Sequence, residues 1–140
     1  MRRLYSDDFL LGVIVYNISF FVGIHRTDNF RRRLGYNLDY YAELSLGKKP
    51  MLRESIDSFL LENDIVIGKG KRRIKRPESL TSLFEILEPF RHILDEPRIR
   101  AIEYILSYPP PYNDIEAFKD YVSRVEVLLE ENEDDMDRKI

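Results

Sequence analysis

The stretch FLLGVIVY, residues 9–16, contains only apolar residues, one glycine and a final tyrosine. Ser6 precedes it as a candidate helix N-cap, and Asp7 and Asp8 would lie favourably at the positive end of the helix. A helix that is apolar on every side must be buried on two faces. One face can pack on the single core that a chain of 140 residues forms. The other face needs a partner, most simply a second copy of the chain.

The composition is typical of a soluble globular protein, with 44% apolar and 34% charged residues. The apolar stretch 9–24 is shorter than the roughly 20 residues that a membrane span needs, and it contains Asn17 and Ser19. We therefore expect no membrane partner. The chain has no cysteine, which excludes disulfides and cysteine-based zinc sites and favours a reducing compartment, in our interpretation the cytoplasm.

The charges are distributed unevenly along the chain. Residues 1–76 carry 15 Lys and Arg against 9 Asp and Glu, whereas residues 77–140 carry 7 against 16. A basic half and an acidic half suggest one side that faces a polyanion and another that faces solvent or a partner protein. The alternative is that the charges are simply spread over a solvated surface.

Residues 36–46 alternate between apolar and mostly polar side chains, which predicts a half-buried strand. The other predicted elements are a helix over 9–16, a strand over 19–24, a helix over 51–63, short strands over 65–68 and 71–75 joined by a turn at Gly70, and helices from Pro77, over 97–107 and over 114–131. This order predicts an α+β domain, an antiparallel sheet with helices on one face.

Two clusters of basic residues are candidates for nucleic-acid contact. The basic segment, residues 69–76, has six basic residues, which are Lys69, Lys71, Arg72, Arg73, Lys75 and Arg76. The second cluster, in the loop after the first strand, consists of Arg26, Arg31, Arg32 and Arg33. Such side chains contact phosphates and supply sequence-independent affinity. The alternative for the basic segment is a solvated edge hairpin, because edge lysines also discourage aggregation.

The polar face of the strand over 36–46 holds candidate base contacts. Asn37 suits adenine, whereas Asp39 and Glu43 suit only the amino group of cytosine and repel phosphates. Phe21 and Tyr41 could stack on unpaired RNA bases, or they are ordinary strand aromatics.

The segment LLGVIVYNISF, residues 10–20, resembles the LAGLIDADG signature of homing endonucleases with its following Ser-Phe, and Leu10, Gly12 and Ile14 are identical to it. The segments that follow come in the order typical of that family. They are the basic residues 31–33, LGY, the alternating strand, FLLENDI, the basic segment and PESLTSLFEILEPF. The resemblance therefore covers about residues 8–94. It implies an αββαββα unit with C-terminal helices added, whose saddle-shaped sheet lies on DNA.

The resemblance also implies that single-motif members pair through their first helices. The residues of that helix expected to face a dimer partner or a larger assembly are Leu11, Gly12, Val15 and Tyr16. Leu11, Val15 and Tyr16 are larger than the usual residues there, so the two helices would lie further apart.

In the family, the last acidic residue of the motif holds a divalent metal at the scissile phosphate. That position is Asn17 here, the earlier aspartate is Val15, and Ile18 replaces the glycine at the turn into the strand. We therefore predict no catalytic residue, no bound metal and no other cofactor. Mg²⁺ would be required only if the chain were an active endonuclease.

The resemblance predicts a LAGLIDADG-like domain over 1–108, a C-terminal helix packed on it over 109–131, and an acidic tail over 132–140. The predicted function is nucleic-acid binding without cleavage, on RNA or DNA or within a ribonucleoprotein. One alternative is an active, site-specific DNA endonuclease. A second is a protein–protein interaction module that uses the acidic C-terminal half.

Overall fold

The computed structural model describes residues 5–26 and 36–138. In chain order its elements are α1 (Asp7–Asn17), β1 (Ile18–Arg26), β2 (Tyr36–Leu44), α2 (Pro50–Glu62), β3 (Arg73–Ile74), α3 (Pro77–Leu87), a 3-10 helix (Glu88–Ile93), α4 (Glu96–Ser107) and α5 (Ile115–Arg138). The predicted α+β class is confirmed.

Helix α1 forms where the apolar stretch predicted it. The Ser6 hydroxyl caps the helix by accepting a hydrogen bond from the Phe9 amide at 3.2 Å. Leu10 and Ile14, one helical turn apart, are fully buried. The chain passes directly from α1 into β1, and Ile18 has extended backbone angles, φ −92° and ψ 141°. No left-handed residue is needed at this junction, so isoleucine fits where the family has glycine.

The sheet of the described chain has three strands in the order β1-β2-β3. Strand β3 pairs antiparallel with β2, and Ala42 lies opposite Ile74 while Glu43 lies opposite Arg73. Leu38, Ala42 and Leu44 on β2 are buried, as the alternating pattern predicted.

The predicted strand over residues 65–68 is not formed. The amide of Ile65 donates to the Leu60 carbonyl, and the amide of Val66 donates to the Ser79 hydroxyl at 3.0 Å. Because these partners lie on α2 and α3, the two amides do not enter a β-ladder. A single backbone bond, from Gly68 N to Arg73 O at 2.9 Å, closes the turn before β3.

The chain divides into two compact units. The first unit contains residues 1–20 and 41–94, and its fully buried side chains include Leu10, Ile14, Ile56, Leu60, Leu80, Leu83 and Leu87. The second unit contains residues 21–40 and 95–140, and its core is formed by Leu38, Ala101, Ile105, Tyr121 and Val125. The predicted domain boundaries at 108 and 131 stay predictions.

Helix α5 is longer than the sequence pattern predicted. It runs over Ile115–Arg138 and therefore includes most of the acidic segment 132–140. No glycine or proline interrupts residues 115–138, and adding a residue to an existing helix costs far less than starting one. Among the described residues, none of the helices has both the length and the apolar character needed to cross a membrane.

Candidate nucleic-acid interface

The first unit presents a charged and aromatic surface on the face of β2 and β3 opposite its buried residues. Tyr41 and Glu43 alternate along β2 with the buried Ala42. Arg73 donates from Nε to Glu43 Oε1 at 3.0 Å, and its guanidinium carbon lies 4.2 Å from the centre of the Tyr41 ring. Lys75 Nζ lies 5.4 Å from the same ring centre. Both distances allow cation–π attraction.

The basic segment supplies further cations beside this surface. Lys69, Lys71, Lys75 and Arg76 are all exposed. Lys69 and Lys71 lie within the turn that the Gly68–Arg73 backbone bond closes, and Lys75 and Arg76 follow it. Exposed lysine and arginine side chains at this density create the positive surface that phosphate groups require.

Arg72 differs from its neighbours in the basic segment. Its Nη1 and Nη2 atoms donate to the two carboxylate oxygens of Asp57 on α2, and only 12% of its side chain is exposed. Asp57 therefore already binds the two N–H donor groups of Arg72 that a phosphate would need.

The predicted contacts in the second unit are only partly presented to solvent. Asn37 Oδ1 accepts a hydrogen bond from the Tyr112 hydroxyl at 3.4 Å, and that hydroxyl accepts one from the Leu38 amide at 3.3 Å. Asn37 would have to leave Tyr112 to bind adenine through both amide atoms. Phe21 is exposed, but its ring lies over Gly23, where an added Cβ would be 2.8 Å from Phe21 Cζ.

The second predicted basic cluster cannot be placed in the same detail. Arg26 is the last residue of β1, and its side chain is outside the described part of the structure. Arg31, Arg32 and Arg33 also lie outside the described residues. Their contact with nucleic acid stays a prediction.

The C-terminal end of α1 carries the position where the family holds a metal. Asn17 Nδ2 donates to the Val13 carbonyl at 2.8 Å, and the Asn17 carbonyl accepts from the Ser45 amide at 3.3 Å. The neutral amide of Asn17 and the apolar side chain of Val15 bring no negative charge to this end of the helix. These residues do not fit a hard divalent cation, which carboxylate oxygens chiefly hold.

The predicted partner face of α1 is open. Phe9 is 50% exposed and Tyr16 is 89% exposed. Between them, a Cβ added to Gly12 would meet no described atom within 4 Å. Leu11 and Val15 are half-buried. In the isolated chain, α1 therefore buries one apolar face and exposes the other.

Sequence reasoning did not find the contacts that hold the arginines of the basic segment. The pairing of Arg73 with Glu43 follows from the β2–β3 register, which the alternating pattern alone does not fix. The pairing of Arg72 with Asp57 joins residues from a turn and a helix 15 positions apart. The role of Tyr112 also had no sequence signal, because it contacts residues 74 and 75 positions away.

Comparison with solved structures shows a likeness in fold. The chain is similar to the crystal structure of a homing endonuclease, I-TnaI, with a TM-score of 0.61 and 16% sequence identity, over 91% of this chain and 87% of that one. The chain has the fold of a homing endonuclease. This confirms the LAGLIDADG-type fold that the residues of α1 and the segments following it in sequence predicted. No protein-family model and no curated protein matches the sequence.

Proposed function

We propose that this homing-endonuclease fold binds nucleic acid through the basic segment and the adjoining outward face of β2 and β3, and that it no longer cleaves its target. The observation that carries the proposal is the set of exposed cations Lys69, Lys71, Lys75 and Arg76. They lie beside a strand face that presents Tyr41 and Arg73. Cations supply affinity for phosphates, and aromatic and arginine side chains contact bases.

The proposed loss of cleavage rests on the residues at the end of α1. Metal-assisted phosphodiester hydrolysis needs ions that activate water and stabilise the developing charge. Asn17 donates its amide hydrogen to the helix it terminates, and Val15 is apolar. Neither side chain performs the charge neutralisation that a carboxylate provides when it binds Mg²⁺.

Binding is tested by the salt dependence of affinity. The probes are a 30-base-pair duplex DNA and a single-stranded RNA, each titrated over a series of salt concentrations. Lys71→Ala should weaken binding to all sequences and should lower the slope of log K against log salt by about 0.9 per bound copy of the chain on duplex DNA. Lys119→Ala, which removes an exposed lysine on α5, is the matched control and should leave the slope unchanged. Equal slopes for the wild type and both variants would contradict the proposal.

Cleavage is tested separately with supercoiled plasmids carrying genomic fragments from the source organism, in Mg²⁺ or Mn²⁺. We expect no linear product from the wild type. A specific linear product that disappears in Asn17→Ala would show that the chain is an active endonuclease.

We also propose that the exposed face of α1 is covered by α1 of a second copy of the chain. Phe9 and Tyr16 offer apolar area, and the open position of Gly12 between them allows a close approach of two helices. A two-fold axis through Gly12 would bury the same residues on both copies. Light scattering at micromolar concentration should give the mass of a dimer, and Gly12→Glu should give a folded monomer. A monomeric wild type would contradict this proposal.

A further inference from the structure

The second unit contains an open cavity of about 650 Å³ between α4, the three consecutive prolines of residues 109–111 and α5. This volume is within the range of ligand-binding clefts. The residues that give the cavity its chemical character are Tyr104, Tyr108, Tyr121, Asp120 and Arg124. The cavity shares no residue with the basic segment, with the face of β2 and β3 or with α1.

Three tyrosine rings line this cavity side by side. The centre of the Tyr104 ring lies 5.2 Å from that of Tyr108 and 5.3 Å from that of Tyr121, and the planes are inclined at 44° and 41°. Tyr121 is part of the core of the second unit, and Tyr104 packs against that core. Tyr108 is 61% exposed. The rings are therefore fixed at their buried end and accessible at the other, so a ligand meets a preformed aromatic surface.

The same wall of the cavity carries hydrogen-bond donors. Arg124 forms a hydrogen bond with the side chain of Tyr104 and interacts with the charge of Asp120. Because a guanidinium only donates, the hydroxyl hydrogen of Tyr104 stays available for another acceptor. The Tyr121 hydroxyl donates to the backbone carbonyl of Tyr108, which immediately precedes Pro109. One tyrosine of this wall thus already binds a carbonyl at the start of a proline segment.

A proline-rich segment in the polyproline II conformation is complementary to this arrangement. Proline has no backbone N–H, so such a segment presents apolar rings and carbonyl acceptors that have no donor within the chain. Tyrosine side chains provide a flat apolar face for the rings and a hydroxyl donor for the carbonyls, and aromatic-lined grooves of this kind bind proline-rich peptides. A preformed polyproline II helix also loses little conformational entropy on binding.

The charge around the cavity favours a peptide over a single-stranded nucleic acid. Unpaired bases also stack on aromatic rings, but their phosphates would approach the carboxylate of Asp120 and the exposed Glu116, one helical turn earlier on α5. Residues 77–140 as a whole carry 16 acidic against 7 basic residues. A lysine or arginine beside the prolines would instead be attracted to Asp120.

We propose that this cavity binds a proline-rich segment of a partner protein in the polyproline II conformation. The rings of Tyr104 and Tyr108 contact the prolines, the Tyr104 hydroxyl donates to a peptide carbonyl, and Asp120 pairs with a basic residue that flanks the prolines. This interaction is additional to nucleic-acid binding and does not depend on it.

The experiment measures binding of labelled peptides by fluorescence anisotropy. The probes are decaproline with one flanking arginine, decaproline alone, and a decapeptide of alternating glycine and serine with the same arginine. The wild type should bind the first at least about 10-fold more tightly than the third. Tyr108→Ala should weaken binding of both proline peptides about 10-fold or more. Val127→Ala, which shortens an exposed apolar side chain elsewhere on α5, is the matched control and should leave both affinities unchanged.

Two further variants test the charge and the independence from nucleic acid. The flanking arginine should improve binding by the wild type about 2-fold to 5-fold. Asp120→Asn should remove that advantage and leave the affinity for decaproline alone unchanged, a result that loss of structure would not produce. Lys71→Ala should bind every peptide as the wild type does, whereas Tyr108→Ala should keep the wild-type affinity for duplex DNA.

Other results would overturn the proposal. It is wrong if the wild type binds no proline peptide at about 1 mM, or if it binds the glycine–serine peptide equally well. It is also wrong if Tyr108→Ala lowers the affinity for single-stranded RNA and not for decaproline, because the tyrosines then stack on bases. None of these results bears on the role of the basic segment. Should Tyr108→Ala lower the melting temperature, Asp120→Asn and the comparison of peptides on the wild type still decide the question.

Discussion

Arg72 lies inside the basic segment, but we expect it to stabilise the fold rather than to bind nucleic acid. Its guanidinium is bidentate to Asp57, and the exposed fractions of the two side chains are 12% and 42%. Hydrogen bonds between charged groups contribute about 1.5–3 kcal/mol, and breaking a fully buried ion pair costs about 3–5 kcal/mol. Because water can reach the carboxylate of Asp57, we expect Arg72→Ala to lower the free energy of unfolding by about 2 kcal/mol.

Two features of Arg72 offset part of this stabilisation. Its φ angle is 57°, a left-handed conformation that costs a non-glycine residue about 1 kcal/mol. Its Nε atom is buried without a hydrogen-bond partner in the described chain. Arg72→Gly removes the backbone strain together with the ion pair. We therefore expect Arg72→Gly to be more stable than Arg72→Ala by about 1 kcal/mol.

The assay is thermal and urea-induced unfolding of both variants, followed by the salt titration on duplex DNA. A loss of about 2 kcal/mol lowers the melting temperature by roughly 6–10 °C in a domain of this size. The slope of log K against log salt should stay at the wild-type value. Lys71→Ala should show the reverse, with unchanged stability and a lower slope. Our reasoning about Arg72 is refuted if Arg72→Ala melts with the wild type and loses as much salt slope as Lys71→Ala.

Three further outcomes follow from contacts elsewhere in the chain. Asn17→Asp should lower the free energy of unfolding by about 1–2 kcal/mol, because it loses the donor to Val13 and puts a negative charge at a helix C-terminus. Urea unfolding with and without Mg²⁺ measures this change. Stabilisation by Mg²⁺ would mean that the aspartate restores a metal site. Tyr112→Phe should cost about 1 kcal/mol, because it removes two hydrogen bonds to the start of β2, and an unchanged melting temperature would argue against it. Burial raises the pKa of Tyr121 and of Tyr40 above 10.0. The contribution of these two residues to stability is therefore fully present below pH 10 and is lost as pH rises through the higher folded-state values. Unfolding followed by circular dichroism should accordingly show a lower stability at pH 11 than at pH 8.

The fold was predictable from short-range patterns. The capped apolar stretch of α1 and the alternation along β2 are local signals, and the structure places both elements within one or two residues of the prediction. The strand predicted over 65–68 is not formed, for a reason that local sequence patterns do not show. Its amides bind Leu60 and the Ser79 hydroxyl, and these acceptors come into reach only after α2 and α3 have packed.

The basic segment was evident from the sequence, but the contacts of its individual residues were not. A count of charges treats the six cations of the basic segment as equivalent. The fold assigns them differently, because Asp57 binds Arg72 and Glu43 binds Arg73. Both carboxylates come from elements that precede the segment in sequence, and their pairing depends on tertiary packing and on strand register. Sequence composition alone therefore overstates the number of cations in the segment that have no carboxylate partner.

The number of unpaired cations sets a quantitative limit on binding by the basic segment. Its four exposed cations, Lys69, Lys71, Lys75 and Arg76, predict a salt slope of at most about 3.6 per bound copy of the chain on duplex DNA, whereas all six would give about 5.4 per copy. A measured slope near the lower value would agree with the ion pairs of Arg72 and Arg73. A slope above the higher value requires phosphate contacts outside the segment. Replacing Arg31, Arg32 and Arg33 by alanine would then identify the source, because the excess slope should disappear if these residues supply it.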